Sequence, residues 1–281
     1  MNIQGNLWLS FFYQHSYSVN GRAMQQLKYK NYHYQTTADS SSFFGRLFPS
    51  FSFYASFLVN IYVSSRKARK GTYDTDAWRL SSLKVLQALE RTGLKVSISG
   101  VEHLQSLSSA CVIVGNHVSM MDTVVLPAII AQERPITFII KKSLLEYPVF
   151  KHVMHSRDPI ALSRTNPRED LKTVFSEGRK RLDQGVSVCV FPQTTRGTRF
   201  DPKQFNSIGV KLAQKAGVPV LPLALKTDAW TNGKILKDLG KIRPEVSTHF
   251  AFDAPMTVTG KGKEEHQKVI DFITRKLNEW K

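Results

Sequence analysis

The chain has 281 residues, a formal net charge of +17 and two cysteines, and 42% of its residues are hydrophobic. That hydrophobic fraction supports a folded core and excludes a disordered chain. Two cysteines, both in predicted core strands, imply neither a disulfide framework nor a metal site. The charge favours an anionic partner: nucleic acid, an anionic membrane surface, or a phosphorylated or CoA-type substrate. Zinc-finger spacing, RNP-like aromatics and a leucine zipper are missing from the sequence, which disfavours nucleic acid.

Residues 1–42 are polar and irregular, and they lack the basic-then-apolar layout of a secretory signal. We treat them as a flexible extension in the predicted domain organisation. A stretch upstream of the true start and an addition specific to this protein are the alternatives that the sequence leaves open.

Residues 47–65 carry no charge, and basic residues follow at 66–70. Spanning a bilayer takes about 20 mostly apolar residues, and serines together with Asn60 dilute this stretch. We predict a membrane-embedded or interfacial helix whose basic flank faces the cytosol, and a spanning helix stays open beside it. A buried helix packed on the domain is the alternative. With the helix that follows, it forms a predicted membrane-associated region at 43–92.

From residue 93 onward, strand-like and helix-like segments alternate. This alternation predicts an α/β domain at 93–281, with a mostly parallel central sheet flanked by helices. In such sheets, chemistry collects at the carboxyl ends of the strands. The predicted strands lie near 95–100, 111–115, 136–140, 158–163, 187–191, 218–225 and 247–252, and the predicted helices near 78–91, 122–132, 142–155, 167–184, 207–216 and 264–280.

The strand predicted at 111–115 runs into Asn-His-Val-Ser-Met-Met-Asp at 116–122. His117 and Asp122 therefore leave the strand on either side of one turn. A carboxylate that holds one ring nitrogen makes an imidazole a general base, because it fixes the tautomer and stabilises the imidazolium. A plain hydrogen bond across the turn is the alternative for such a pair. Asp122, or else Thr123, is the predicted N-cap of the next helix.

Phe-Pro-Gln-Thr-Thr-Arg-Gly at 191–197 also follows an apolar run and a strand end. Together, residues 116–122 and 191–197 resemble the first and third sequence blocks of the glycerolipid acyltransferases. That superfamily includes 1-acylglycerol-3-phosphate and glycerol-3-phosphate acyltransferases. Residues 138–150 and 218–225 resemble the second and fourth blocks, and all four occur in the expected order.

The resemblance implies acyl transfer from a thioester to a hydroxyl. His117 would take the proton of the acceptor hydroxyl and Asp122 would orient His117, so no covalent acyl-enzyme is needed. No cofactor is implied; acyl-CoA or acyl-carrier protein is the co-substrate. The implied acceptor is a lysophospholipid, 1-acylglycerol-3-phosphate first, in phospholipid biosynthesis at an anionic membrane surface with the active site facing the cytosol. No metal site is predicted, because His117 and Asp122 have no third ligand in sight.

Arg196 is the first candidate for holding a phosphate on the acceptor, because a guanidinium offers a planar fork to phosphate oxygens. An arginine on a solvated loop is the alternative. Turn-fixing roles are the alternatives for Asn116 and Ser119, and a surface salt bridge is the alternative for Arg164. The full set of predicted substrate-binding residues is Asn116, Ser119, Lys141, Lys142, Arg164, Gln193, Thr194, Thr195, Arg196 and Gly197.

The third block departs from the common family pattern Phe-Pro-Glu-Gly-Thr-Arg-Ser. Gln193 replaces the acid, Thr194 the glycine and Gly197 the serine. Glutamine keeps the shape and an acceptor oxygen but loses the charge, so the departure bears on the acceptor more than on acyl transfer. It also leaves two other functions open: a catalytically weakened lipid-binding or membrane-remodelling protein of the same fold, and a basic nucleic-acid-binding module.

Overall fold

A computed structural model describes residues 25–147, 150–193, 195–233 and 237–281. In these ranges, helices and strands alternate along most of the chain. In chain order they are β1 Tyr34–Gln35, α1 Phe43–Leu47, α2 Pro49–Arg69, α3 Thr75–Arg91, β2 Val96–Ser99, α4 Val101–Gln105, β3 Val112–Gly115, α5 Met121–Ile130, β4 Ile136–Lys141, α6 Lys151–Ser156, β5 Ile160–Leu162, α7 Pro167–Asp183, β6 Ser187–Val190, α8 Ile208–Ala216, β7 Val220–Lys226, β8 Thr248–Phe252 and α9 Lys263–Glu279, with 3-10 turns at Ala38–Ser40, Lys142–Glu146 and Pro202–Gln204.

The strands of the described chain form one eight-stranded sheet in the order β1-β2-β8-β7-β3-β6-β4-β5. The pairs β1–β2 and β7–β8 are antiparallel, and the remaining pairs are parallel. The predicted mostly parallel α/β fold is therefore confirmed. Val112 of β3 lies opposite both Val188 of β6 and Val220 of β7. Because these three neighbours run parallel, their carboxyl ends meet at one edge of the sheet.

The central strands are buried on both faces, which explains their unbroken apolar runs. In β3, Ile113 packs into one apolar core, whereas Val112 and Val114 pack into the other. Side chains from α2, α3 and α5 complete the first core, and those from α7, α8 and α9 complete the second. The alternating side-chain direction of a strand thus places one helical layer on each face.

Helix α2 has two different faces. Pro49 stands at its first turn, where a missing N–H is tolerated, and Phe53, Phe57 and Ile61 are buried against the domain. In the described parts of the chain, no helix has the length and apolar character needed to cross a membrane. The opposite face of α2 exposes large apolar side chains, namely Phe51, Leu58, Val59, Tyr62 and Val63.

Two local predictions are wrong. The helix predicted at 142–155 is a 3-10 turn at Lys142–Glu146 followed by the separate helix α6. Proline disfavours a helical conformation in the residue before it, and Tyr147, which precedes Pro148, is extended with φ −68° and ψ 115°. Neither Asp122 nor Thr123 is an N-cap, because α5 begins at Met121 and Asp122 lies inside its first turn.

Part of the predicted N-terminal extension contacts the sheet. The β1 strand pairs with β2, and the hydroxyls of Tyr34 and Thr36 each donate to Glu90 Oε1 at 2.6 Å. Residues 1–24 lie outside the described residues. The domain boundary at 42 stays a prediction.

Candidate active site

His117 follows β3 at the edge where the three parallel strands end. Its Nδ1 lies 2.8 Å from Asp122 Oδ2. The Asp122 side chain is fully buried, whereas 19% of the His117 side chain is exposed. A carboxylate at this distance fixes the ring proton on Nδ1, which leaves the lone pair on Nε2. The predicted pair is thus within hydrogen-bonding distance, and its ring can accept a proton at the opposite nitrogen.

The Asp122 carboxylate is held by several donors. Besides His117, its Oδ2 accepts hydrogen bonds from the backbone N–H of Val118 at 2.6 Å and of Ser119 at 3.1 Å. Its Oδ1 accepts the hydroxyl proton of Thr227, which lies just beyond β7. These contacts replace the predicted N-cap role: the carboxylate faces back into the turn and fixes the imidazole.

The flat face of the His117 ring is also packed. Phe191, just past β6, stacks on it with ring centroids 4.5 Å apart and an interplanar angle of 10°. Phe138 of β4 stacks on Phe191 in turn, at 6.3 Å. The imidazole is therefore held at its edge by a carboxylate and on its face by an aromatic ring. Sequence reasoning missed the role of Phe191, although its place at a strand end, as the first residue of the third block, was a usable signal.

The third block is tied to the backbone of His117. The His117 N–H donates to Gln193 Oε1 at 2.7 Å, and the Gly197 N–H donates to the His117 carbonyl at 3.1 Å. A glutamate at position 193 would offer the same acceptor oxygen, so this contact tolerates the exchange of acid for amide. Thr195 is exposed, and Thr194 lies outside the described residues.

Arg196 has an acidic partner. One guanidinium nitrogen lies 2.5 Å from Asp238 Oδ1, and the two side chains are 23% and 18% exposed. Asp238 belongs to the long connection from β7 to β8 and is 42 residues away in sequence. Sequence reasoning missed Asp238, since nothing in the local pattern marks a carboxylate so far beyond its strand.

Asn116 and Ser119 are buried, at 2% and 1% exposure. The Asn116 side chain donates to the Leu225 carbonyl and accepts from the Leu225 N–H, both at 2.8 Å, so these two bonds go to β7 and not to its own turn. Ser119 Oγ donates to the Thr227 carbonyl at 2.9 Å and accepts from the Met121 N–H at 3.1 Å. These bonds fasten the end of β3 to the end of β7. Direct substrate binding by either residue stays a prediction that the burial disfavours.

Three of the predicted substrate-binding residues lie where β4 and β5 end: Lys141, Lys142 and Arg164. The two lysines are exposed where β4 ends. Arg164 sits in a left-handed turn after β5, with φ 58°, and its N–H donates to Asp170 Oδ2 at 2.8 Å. None of the three is among the described residues that line the cavity beside His117. Their substrate-binding roles stay predictions.

A largely apolar cavity of about 180 Å³ opens beside His117. It reaches along the sheet from His117, Arg196 and Asp238 at the carboxyl edge to Thr137 and Arg157 at the amino edge. At that far end, Arg157 donates to the Tyr73 carbonyl, and its guanidinium lies over the Tyr73 ring, 5.4 Å from the centroid. Burial lowers the pKa of Arg157. The apolar wall comes from side chains of α2, α3, α6 and β4 and of the residue just before α6, among them Phe57, Ile61, Trp78, Val85, Phe138, Ile140, Phe150, Val153 and Met154.

A metal site and a reactive thiol have little support in the described residues. Within those ranges, no three His, Cys, Asp or Glu side chains are grouped to hold a metal ion. Cys111 and Cys189 are buried, and burial raises the pKa of both thiols.

The sequence and the fold both have counterparts among known proteins. The sequence profile of the family described as Acyltransferase matches residues 95–226. A 1-acyl-sn-glycerol-3-phosphate acyltransferase of Pseudomonas aeruginosa is 32% identical over 132 residues, which are 47% of this chain and 49% of that protein. A protein of the same name from Borreliella burgdorferi is 28% identical over 151 residues, 52% of this chain and 56% of its own.

The fold has a solved counterpart. The crystal structure of PlsC, the 1-acyl-sn-glycerophosphate (LPA) acyltransferase from Thermotoga maritima, matches with a TM-score of 0.64 at 21% identity, over 84% of this chain and 96% of that one. The chain spans about half the length of the curated relatives it matches. The region matched by the family profile includes the His117–Asp122 pair and the loop that carries Arg196. Residues 95–226 are thus similar to the acyltransferase family.

Proposed function

We propose that this protein is an O-acyltransferase that moves a fatty acyl group from acyl-CoA or acyl-carrier protein to the hydroxyl of a lysophospholipid. The first candidate for the acceptor is 1-acylglycerol-3-phosphate, the substrate class in the names of the relatives, and the role is phospholipid biosynthesis. The observation that carries the proposal is the His117–Asp122 pair at the end of an apolar cavity that Arg196 also lines.

The dyad supplies general-base catalysis. His117 Nε2 removes the acceptor hydroxyl proton while that oxygen attacks the thioester carbonyl. The tetrahedral intermediate then collapses, the carbon–sulfur bond breaks, and the imidazolium returns the proton to the departing thiolate. Asp122 stabilises the imidazolium between the two transfers. Such a base typically contributes about 10²–10⁴-fold to the rate.

The cavity is suited to the acyl chain. Its wall is mostly aliphatic and aromatic, so a hydrocarbon chain that enters it leaves water. Arg157, held against Tyr73 at the amino edge, closes the far end. The acyl carbonyl then lies at the other end, beside His117, where the acceptor hydroxyl must attack.

Membrane docking follows from the outer face of α2. Large apolar side chains there, with Phe43, Phe44, Leu47 and Phe48 of the preceding turn and helix, form an exposed apolar surface beside the basic residues at 66–70. An interfacial helix of this kind inserts its apolar face among lipids while cations meet anionic headgroups. We propose that this surface, with its basic flank on the cytosolic side, brings the cavity to its lipid substrates.

The test is product analysis. Purified protein in mixed detergent micelles would receive palmitoyl-CoA or palmitoyl-acyl-carrier protein together with lysophosphatidate, lysophosphatidylethanolamine or lysophosphatidylglycerol. Mass spectrometry should find a diacyl lipid with at least one pair of donor and acceptor. Lipid binding without a diacyl product from any pair would favour the catalytically weakened lipid-binding protein instead.

A further inference from the structure

Asp238 gives the cavity a negative charge that the third sequence block lacks. Among the described residues that line the cavity, Asp238 is the one carboxylate, and Arg196 and His117 line the same cavity. The family pattern has an acid where this chain has Gln193, whose side-chain oxygen accepts from the His117 backbone. The acidic group beside Arg196 therefore comes from another loop.

The position of Asp238 is fixed by one buried and one half-buried aromatic residue. The Trp230 indole donates to the Asp238 carbonyl at 3.2 Å, and the Tyr54 hydroxyl donates to the Gly240 carbonyl at 2.5 Å. Trp230 is itself buried, edge-on to Phe53 of α2 with ring centroids 4.7 Å apart. This packing holds the backbone of Asp238, so its carboxylate stays within reach of Arg196.

The ion pair and an acceptor phosphate need the same guanidinium. A phosphate oxygen and a carboxylate oxygen make similar charge-assisted bonds to the arginine fork. Both side chains of the pair are mostly shielded from water, so solvent screens their charges less than on an open surface. A phosphate that approaches Arg196 therefore meets attraction from the guanidinium and repulsion from Asp238.

That repulsion depends on the headgroup. A phosphomonoester carries a charge of about −1.5 to −2 at pH 7. A phosphodiester with an amine carries one negative charge and a balancing positive one, which Asp238 attracts. We propose that Asp238 is a specificity-determining residue of the acceptor subsite, an inference that rests on the proposed function. Asp238 and the acceptor phosphate both bind the Arg196 guanidinium. Asp238 therefore lowers the preference for a phosphomonoester relative to a zwitterionic headgroup.

The test compares two acceptors on charge-matched variants. Equilibrium binding of lysophosphatidate and of lysophosphatidylethanolamine, in mixed micelles at low salt, would be measured for the wild type and Asp238→Asn. Removing the charge should tighten lysophosphatidate binding roughly tenfold and change lysophosphatidylethanolamine binding less than about threefold, with a smaller difference at high salt.

Asp228→Asn is the matched control. Asp228 lies in the same connection and pairs with Arg243 at 3.3 Å, but it is not among the described cavity-lining residues. Its substitution should leave the ratio of the two affinities unchanged. Asp238→Glu keeps the charge and should retain the wild-type ratio. Should Asp238→Asn fail to fold, Asp238→Ser provides the same comparison.

The outcomes separate this inference from the proposed function. An affinity ratio that is the same in the wild type and Asp238→Asn, or no binding of either lipid, would overturn the role of Asp238. A shifted ratio in a protein that forms no diacyl lipid would sustain the role of Asp238 and defeat the acyltransferase proposal. Where turnover occurs, the change should fall on KM for lysophosphatidate rather than on kcat, because Asp238 acts on headgroup binding.

Discussion

At the residue scale, the proposed general-base chemistry depends on how firmly the imidazole of His117 is held. Asp122 holds the ring edge of His117 at 2.8 Å, and Phe191 covers its face at 4.5 Å. A ring fixed in this way needs no reorientation before it takes a proton, which lowers the entropic part of the barrier. The contact from Gln193 to the His117 N–H adds a third restraint, on the backbone.

The Gln193 contact predicts that activity depends on a side-chain oxygen that accepts a hydrogen bond at position 193, and less on the charge of that side chain. Gln193→Ala leaves the His117 N–H without its side-chain partner, a loss of about 1 kcal/mol, so kcat should fall roughly fivefold through misplacement of the ring. Gln193→Glu keeps an acceptor oxygen and should remain within about threefold of wild type. Steady-state kinetics on both variants, with melting temperatures as the fold control, would check this. A glutamate variant as impaired as the alanine variant would contradict it.

At the element scale, helix α2 links the proposed lipid-binding surface to the proposed acceptor subsite. Its inner face carries Phe53 and Tyr54, which contact the loop that bears Asp238, and its outer face carries exposed apolar side chains. One helix therefore presents residues both to the proposed membrane surface and to the residue next to Arg196.

A charge on the outer face of α2 should weaken membrane binding. Leu58 is 52% exposed there, whereas Leu171 is 41% exposed on α7, on the opposite side of the sheet. Leu58→Glu should reduce sedimentation with anionic vesicles by roughly tenfold, because it removes apolar area and adds a repelled charge. Leu171→Glu, the matched control, should sediment like the wild type. Equal losses in both variants would mean that overall charge, not this face, governs binding.

Local patterns predict only part of these elements. The apolar runs of β3 and β6 are readable, because strands buried on both faces are apolar throughout. The His117–Asp122 pair is readable because one turn separates its members. The placement of β3 between β6 and β7 is not a local property, so the contacts that cross it, such as Asn116 to Leu225 or Arg196 to Asp238, could not be predicted from the sequence.

At the scale of the whole molecule, two thiols are buried in the sheet, and their reactivity shows whether the sheet is folded. Cys111 and Cys189 are buried at adjacent strands, and burial raises the pKa of both. A raised pKa means less thiolate at a given pH, and the thiolate is the reactive form. Iodoacetamide at pH 8 should therefore label neither thiol in the folded protein and both in denaturant. Labelling followed by mass spectrometry would check this, and rapid labelling without denaturant would contradict the buried sheet.

Three strand ends together build the site: His117 after β3, Gln193 and Arg196 after β6, and Thr227 and Asp238 after β7. The same edge is where parallel α/β sheets commonly carry their chemistry. The cavity then extends from that edge across one face of the sheet, between the strands and the N-terminal helices.

The measurement that tests the central claim most directly is acceptor-dependent release of free thiol from acyl-CoA, or from acyl-carrier protein, by the wild type and His117→Ala. With a lysophospholipid acceptor, the wild type should release thiol, and His117→Ala should be slower by about 10²–10⁴-fold with an unchanged melting temperature. Release that persists in His117→Ala at the wild-type rate would contradict general-base catalysis by this residue, while the fold assignment would stand.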